Sequence, residues 1–115
     1  MAITAAHVLL YSPEAEALRA FFRDVIGWEH VDAGDGWLIF ALPPAEVGVH
    51  PSEGATHHEL SLHCDDVEAT VAELRSQGVE FRGEPENMGF GVGLTMVLPG
   101  GVEVLLYEPR HETPA

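Results

Sequence analysis

The stretch HELSLHCDDVEATVAELRSQGVEF, residues 58–81, has the pattern of a strand followed by an amphipathic helix. Its apolar residues alternate over 60–64 and then recur at three- and four-residue spacing. Alternation predicts a half-buried strand, and the wider spacing predicts a helix with one buried face. Either Asp65 or Asp66 suits the helix N-cap, and Gly78 suits its C-terminal end. The residues at helical spacing are Val67, Val71 and Leu74.

The same pattern occurs earlier in the chain, in AHVLLYSPEAEALRAFFRDVIGWEH at residues 6–30. Shifting one stretch by about 52 residues aligns apolar positions, helix ends and turns. A later pair, LPPAEVGVHP from Leu42 and LPGGVEVLLYEP from Leu98, aligns in the same way and brings Glu46 onto Glu103. Repetition at this period predicts two copies of one structural unit. The paired residues include Val8 and Leu60, Leu10 and Leu62, Phe22 and Leu74, and Arg23 and Arg75.

Each copy is predicted to be a βαβββ module, which makes the chain an α+β protein. We expect one domain over residues 1–115, with module one at about 4–51, a linker at 52–57 and module two at about 58–110. The tail from Arg110 onwards is expected to fray. Module one is predicted to have strands at 6–12, 28–32, 37–41 and 46–50 around a helix at 13–26. Module two is predicted to have strands at 59–64, 79–82, 92–97 and 102–107 around a helix at 66–77.

Composition limits the function classes. The 115 residues are 46% hydrophobic, which is enough for a core, and 5 basic against 19 acidic residues give a net charge of −14. Nucleic acids and anionic membrane surfaces attract basic proteins, so neither is an expected partner. The single cysteine, Cys64, excludes a disulfide within the chain and cysteine-rich zinc sites, and it is expected to be buried and inert. The N-terminus lacks a basic leader and no apolar run could span a bilayer, so we expect a cytoplasmic protein.

Several motifs resemble one superfamily. FFRDVIGW at 21–28, PGGVEVLLYEP at 99–109 and His7 at the start of the first strand are similar to recurrent features of the vicinal oxygen chelate superfamily. That superfamily includes glyoxalase I, extradiol dioxygenases, fosfomycin- and bleomycin-resistance proteins and methylmalonyl-CoA epimerase. The run DAGDGWLIFALPPAEVGVHP at 32–51 resembles a bacterial group labelled glyoxalase-like. The resemblance implies an eight-stranded sheet curled around a cleft, and a homodimer in which facing modules can come from different subunits.

The resemblance also implies four metal-ligand positions, one at the start of the first strand and one in the last strand of each module. His7 occupies the first of these positions, and Glu59 occupies its equivalent in module two, although a one-residue slip would place His58 there. The last-strand positions fall on Gly48 and Leu105, which cannot ligate a metal. Two of the four expected ligands are therefore missing at equivalent places.

A displaced ligand set is the alternative. Strand residues two apart share a face, so polar side chains from several strands can meet in the cleft. Their ligand types would suit Zn²⁺, Fe²⁺, Ni²⁺ or Mn²⁺. Each also has a structural interpretation as a hydrogen-bonded or solvated side chain. The residues of this set are His7, Glu46, His50, Glu59, His63 and Glu103. Tyr11 and Trp37 complete the predicted ligand-binding residues, although Trp37 is also suited to the core.

These features favour a small-molecule-binding protein of the glyoxalase, bleomycin-resistance and dioxygenase type. If it is an enzyme, we expect a glyoxalase-like lyase or isomerase, or a dioxygenase. One alternative is a divalent-metal-dependent enzyme of those classes with the displaced ligand set. Another is a resistance protein that sequesters a drug, and a cationic drug would suit the acidic composition. The reaction is open because one fold carries many chemistries.

Overall fold

The computed structural model describes residues 5–54 and 56–114. The helices are α1 (Ala15–Phe21), extended by a π-helical turn at Phe22–Ile26, and α2 (Val67–Ser76). The strands are β1 (His30–Asp32), β2 (Leu38–Phe40), β3 (Ser61–His63), β4 (Glu80–Asn87), β5 (Gly91–Leu98) and β6 (Val102–Pro109).

Module two forms the predicted βαβββ unit. Its four strands have the order β3-β6-β5-β4, with β3 parallel to β6 and the other pairs antiparallel. The parallel pair requires a crossover, and α2 begins it by carrying the chain from β3 to β4 at the opposite edge of the sheet. Asp66 is the N-cap of α2, and its carboxylate accepts a hydrogen bond from the Ala69 backbone N–H at 3.1 Å. The Glu108 carboxylate accepts a second bond from the Val67 N–H at 3.0 Å, which ties the helix start to β6.

Both helices contribute to a core against one face of this sheet. Side chains alternate along a strand, so Leu94, Met96 and Leu98 of β5 and Val104 and Leu106 of β6 fall on that face. Met96 is fully buried at its centre. The opposite side, which we call the open face, carries Thr95, Leu105 and Tyr107. The core residues are Leu18, Phe21, Phe22, Val67, Val71, Leu74, Leu94, Met96, Leu98, Val104 and Leu106.

Module one is less complete than predicted. Its helix is present, and β1 pairs with β2 in a hairpin whose turn places Gly34, Asp35 and Gly36 at positive φ. The predicted strands at 6–12 and 46–50 are not paired in a sheet. The described residues therefore form six strands in two separate sheets, and the single eight-stranded sheet is not formed.

The missing pairing has a physical cause. A strand needs a neighbour to satisfy its backbone N–H and C=O groups. Val47 and Val49 are 90% and 95% exposed, and no strand of the described chain pairs with residues 46–50. Without a neighbouring strand, the backbone N–H and C=O groups of this segment are left to hydrogen-bond with solvent.

Parts of the predicted organisation lie outside the described residues, namely residues 1–4, Ala55 in the linker and Ala115. The division into modules at 52–57 stays a prediction. In the described part of the chain, neither helix is long and apolar enough to span a bilayer.

Candidate functional site

A cleft of about 500 Å³ lies between module one and the open face. Residues 9–11 form one side, and residues 58–60 and 102–105, with Thr95, form the remainder. Ser12 holds the two parts together, because its hydroxyl donates to the Pro99 carbonyl at 3.0 Å. Three predicted binding residues, Tyr11, Glu59 and Glu103, line this cleft together with Leu105.

The carboxylates of the cleft have cationic or ionisable neighbours. Glu59 Oε1 lies 3.2 Å from His57 Nε2, and Glu103 Oε2 lies 2.9 Å from Arg82 Nη2. All four side chains are at least half exposed, so water screens both pairs and each contributes little to stability. The two carboxylates consequently remain able to interact with a positively charged group in the cleft.

The structure places three other predicted residues elsewhere. His7 is exposed and is not among the residues that line the cleft, so its role as the counterpart of Glu59 in a binding site stays a prediction. The Arg19 guanidinium lies 4.8 Å from the centre of the Trp37 ring, which occupies one face of that ring by a cation–π contact. His50 donates its Nδ1–H to the Pro51 carbonyl at 2.8 Å.

A second group of polar side chains lies on β3, β6 and the segment after β6. His63 Nε2 is 2.7 Å from the Tyr107 hydroxyl oxygen, and His111 Nε2 is 2.9 Å from the same oxygen. We call these three residues the tyrosine–histidine cluster. The strand register produces it, because β3 pairs with β6 so that His63 lies directly beside Tyr107.

Glycines make room for the tyrosine. A Cβ on Gly93 would lie 2.5 Å from Tyr107 Cβ, and one on Gly91 would lie 2.9 Å from Tyr107 Cδ2. Phe90 covers the ring edge-on with centroids 5.1 Å apart, and its carbonyl accepts the Arg110 N–H at 2.8 Å. Tyr107 is therefore buried to 8% exposure although it projects from the open face.

The direction of the hydrogen bonds follows from one contact. The Nδ1 atom of His111 lies 3.0 Å from the Glu112 carbonyl, which can only accept, so Nδ1 carries a proton. In neutral His111, Nε2 then accepts the Tyr107 O–H, and the Tyr107 oxygen accepts the Nε2–H of His63. Burial raises the pKa of Tyr107, and the negative charge of Glu46 raises it further, so the phenol keeps its proton at neutral pH.

His111 was missed by the sequence interpretation, which expected the tail from Arg110 to fray. The prediction was wrong at this point because Arg110 pairs with Phe90 and His111 is half-buried on Tyr107. No periodic signal marks this turn in the sequence, because Pro109 ends β6 without fixing the direction of the residues that follow.

Cys64 is half-buried rather than fully buried. Its backbone N–H donates to the Tyr107 carbonyl at 2.9 Å, which continues the β3–β6 ladder. Burial raises the pKa of the thiol, and the neighbouring Glu108 and Asp65 charges act in the same direction. A thiol held in its protonated form is a poor nucleophile, which agrees with an inert role.

The residues present do not fit the four-ligand metal site that the family resemblance implies. Leu105 lines the cleft at one of those positions and offers no donor atom. Gly48, at another, has no side chain. Among residues 5–54 and 56–114, no group of three or more His, Cys, Asp and Glu side chains is placed to hold a metal ion.

Comparison with known proteins gives a family match over nearly the whole chain. The family described as the Glyoxalase/Bleomycin resistance protein/Dioxygenase superfamily matches residues 4–109. No curated protein matches this chain.

Solved structures share the fold. The antibiotic-binding protein TnmS3 from Streptomyces sp. CB03234 is 25% identical, with a TM-score of 0.68 over 95% of this chain and 98% of its own. Lactoylglutathione lyase from Agrobacterium tumefaciens is 19% identical, with a TM-score of 0.65 over 94% and 96% of the two chains. The fosfomycin resistance protein FosX from Listeria monocytogenes is 15% identical, with a TM-score of 0.58 over 94% and 92%.

Proposed function

Because this chain belongs to the Glyoxalase/Bleomycin resistance protein/Dioxygenase superfamily, we propose that it is a small-molecule-binding member that holds an organic cation in its cleft. The observation that carries this function is the composition of the cleft. Leu105 stands at a position where the family resemblance implies a metal ligand, while Glu59 and Glu103 supply negative charge beside it.

The dimensions and charge of the cleft support such a ligand. Small-molecule pockets typically enclose about 300–1,000 Å³ and combine apolar walls with a few polar groups. The cleft, at about 500 Å³, has leucine and valine walls with Tyr11 and the two carboxylates. The net charge of −14 adds a long-range attraction for cations and repels anions.

The similarity to TnmS3 supports a protein that binds a small molecule and does not chemically convert it. That protein is an antibiotic-binding protein, and the two chains cover each other almost completely. Sequestration requires a cleft of suitable shape and charge but no catalytic metal. A drug-sequestering role is therefore the form of the function that we favour over a lyase, isomerase or dioxygenase, and the single cysteine supports a cytoplasmic setting for it.

Ligand-induced stabilisation tests this function. We expect a size-matched panel of organic cations, neutral molecules and anions to yield thermal-shift hits mainly among the cations. Ligand at 100 times its Kd adds about 2.7 kcal/mol to the free energy of unfolding. The Leu105→Arg variant should abolish these hits, because it places bulk and positive charge in the cleft. Glu59→Gln with Glu103→Gln should weaken binding of cations and leave neutral molecules unaffected.

The matched control is Val31→Arg, since Val31 is 66% exposed on β1 and lies outside the cleft lining. It adds the same charge to the protein without filling the cleft. Hits that survive Leu105→Arg, or an excess of anionic hits, would contradict binding of a cation in this cleft.

We also propose that the functional form is a homodimer. Module one exposes an unusual number of apolar side chains for so small a protein, and Val47 and Val49 belong to a segment predicted to be a strand. Exposed apolar side chains on a segment with strand propensity favour pairing with another chain. A second copy can supply the neighbouring strand that residues 46–50 lack. The exposed set comprises Val8, Leu9, Tyr11, Val31, Trp37, Ile39, Leu42, Val47 and Val49.

The double variant Val47→Asp/Val49→Asp is expected to weaken self-association. Two charges would have to be desolvated at the interface, so the dimer dissociation constant should rise at least about 10-fold, which corresponds to roughly 1.4 kcal/mol. Sedimentation equilibrium measures the change. Ser52→Asp/Thr56→Asp, which adds the same two charges in the exposed segment nearby, is the control. A parent protein that is monomeric throughout the concentration series would exclude the dimer.

A further inference from the structure

We propose that His63, Tyr107 and His111 form a binding site for a single divalent transition-metal ion. The site uses none of the four ligand positions that the family resemblance implies. It does not depend on the proposed binding of an organic cation, because its atoms are not among those that line the cleft.

The first support is the convergence of the donor atoms. Both imidazole Nε2 atoms point at one phenolic oxygen, at 2.7 and 2.9 Å. The ring centroids of His63 and His111 are 5.7 Å apart. Two imidazoles that bind one tetrahedral Zn²⁺ at the usual Zn–N distance have centroids about 5 Å apart. A small movement of the His63 and His111 rings towards each other would therefore allow both to coordinate one metal ion.

The second support is the surroundings of the donors. Metal-binding histidines commonly donate their other ring N–H to a carbonyl or carboxylate, which fixes the tautomer and orients the ring. The contact from His111 Nδ1 to the Glu112 carbonyl, at 3.0 Å, does this and leaves Nε2 free to coordinate. Glu46 lies close enough for its charge to act on Tyr107, and it adds negative potential that favours a cation.

The third support is the rigid placement of the phenol. Gly91 and Gly93 leave room for its ring on the sheet, and Phe90 covers it from the side. A donor held in this way loses little conformational freedom on binding. The cluster also brings together residues from β3, β6 and the segment after β6, so the ion would tie three parts of the chain.

The ion would take the place of the phenolic proton. Tyr107 loses H⁺ to solvent as its oxygen coordinates the metal. The His63 proton moves from Nε2 to Nδ1, so both histidines bind through Nε2 as neutral imidazoles and one proton is released per ion. The resulting N₂O set carries a net charge of +1 and leaves at least one coordination position open. Two imidazoles and a phenolate suit Zn²⁺, Cu²⁺ or Ni²⁺ rather than Mg²⁺ or Ca²⁺.

Copper titration tests the site, because coordination of a phenolate to Cu²⁺ produces a ligand-to-metal charge-transfer band in the visible spectrum. We expect the parent to develop this band at one Cu²⁺ per chain, and Tyr107→Phe to lack it. The chain has two tyrosines, so Tyr11→Phe is the matched control and should retain the band. Zn²⁺ binding measured by calorimetry should weaken at least about 10-fold in His63→Gln and His111→Gln.

The His57→Gln/His58→Gln variant controls for adventitious binding of metal ions to exposed histidines. It should leave both the Cu²⁺ charge-transfer band and the Zn²⁺ affinity unchanged. Urea unfolding of each variant establishes that it folds, and Tyr107→Phe keeps the ring that packs against Phe90. A charge-transfer band that persists in Tyr107→Phe, or Zn²⁺ affinity that is unaltered in both histidine variants, would overturn the site. Neither result bears on the thermal-shift response to organic cations, so the two proposals fail separately.

Discussion

The Gly93→Ala variant is expected to lose about 1–3 kcal/mol of folding free energy, the usual range for forcing extra volume into a packed site. A Cβ there would lie 2.5 Å from both the Leu106 carbonyl oxygen and Tyr107 Cβ. One of these atoms is backbone in the adjacent strand, so relief requires β5 and β6 to separate. Urea unfolding measures the loss, and NMR of the histidine rings shows whether His63 and His111 leave the Tyr107 hydroxyl.

The control for this variant is Gly48→Ala, whose added Cβ meets nothing within 4 Å. Gly48 is not at positive φ, so alanine should be neutral or stabilise by about 0.4–1 kcal/mol through the unfolded chain. The two substitutions are chemically identical, but Gly93→Ala is expected to lower the stability of the protein and Gly48→Ala is not. Equal stability of the two variants would show that β5 and β6 are not as closely apposed as described.

The Met96→Ala variant is expected to lose about 2–5 kcal/mol, because it removes buried methylene and sulfur contacts and leaves a cavity. Met96 has no exposed surface and lies among α1, α2 and the sheet. For a domain whose total stability is about 5–15 kcal/mol, this is a large fraction. Chemical denaturation should show a lower midpoint with an unchanged slope.

Met88→Ala is the control for that variant. Met88 lies in the turn between β4 and β5 and is 36% exposed, so its truncation should change stability by about 0.5 kcal/mol or less. A loss in Met88→Ala as large as that in Met96→Ala would contradict the assignment of the core to this face of the sheet.

Sequence patterns predicted module two well because its determinants are local. Alternation and helical spacing identified the strands and α2, and the capping residue was one of the two aspartates considered. The predicted β4 was short by five residues at its end, since residues 83–87 are glycine, proline and polar residues without alternation, and β5 was short by one residue at each end.

Module one could not be predicted equally well, because strand propensity does not specify a partner. The segments 6–12 and 46–50 have the residues of strands, and what they lack in the described chain is a neighbour. The cluster of His63, Tyr107 and His111 was also out of reach. Its geometry depends on the β3–β6 register and on the turn after Pro109, neither of which leaves a periodic signal.

The parallel pairing of β3 with β6 has a consequence for the order of folding. β4, β5 and β6 are consecutive antiparallel strands joined by short turns, whereas the contact between His63 and Tyr107 spans 44 residues. Closing so long a loop carries a higher entropic cost, which slows non-local pairing. The three-residue β3 is therefore expected to dock late and to exchange its amide protons sooner than β5, so that His63 can leave Tyr107 while the rest of the sheet stays folded.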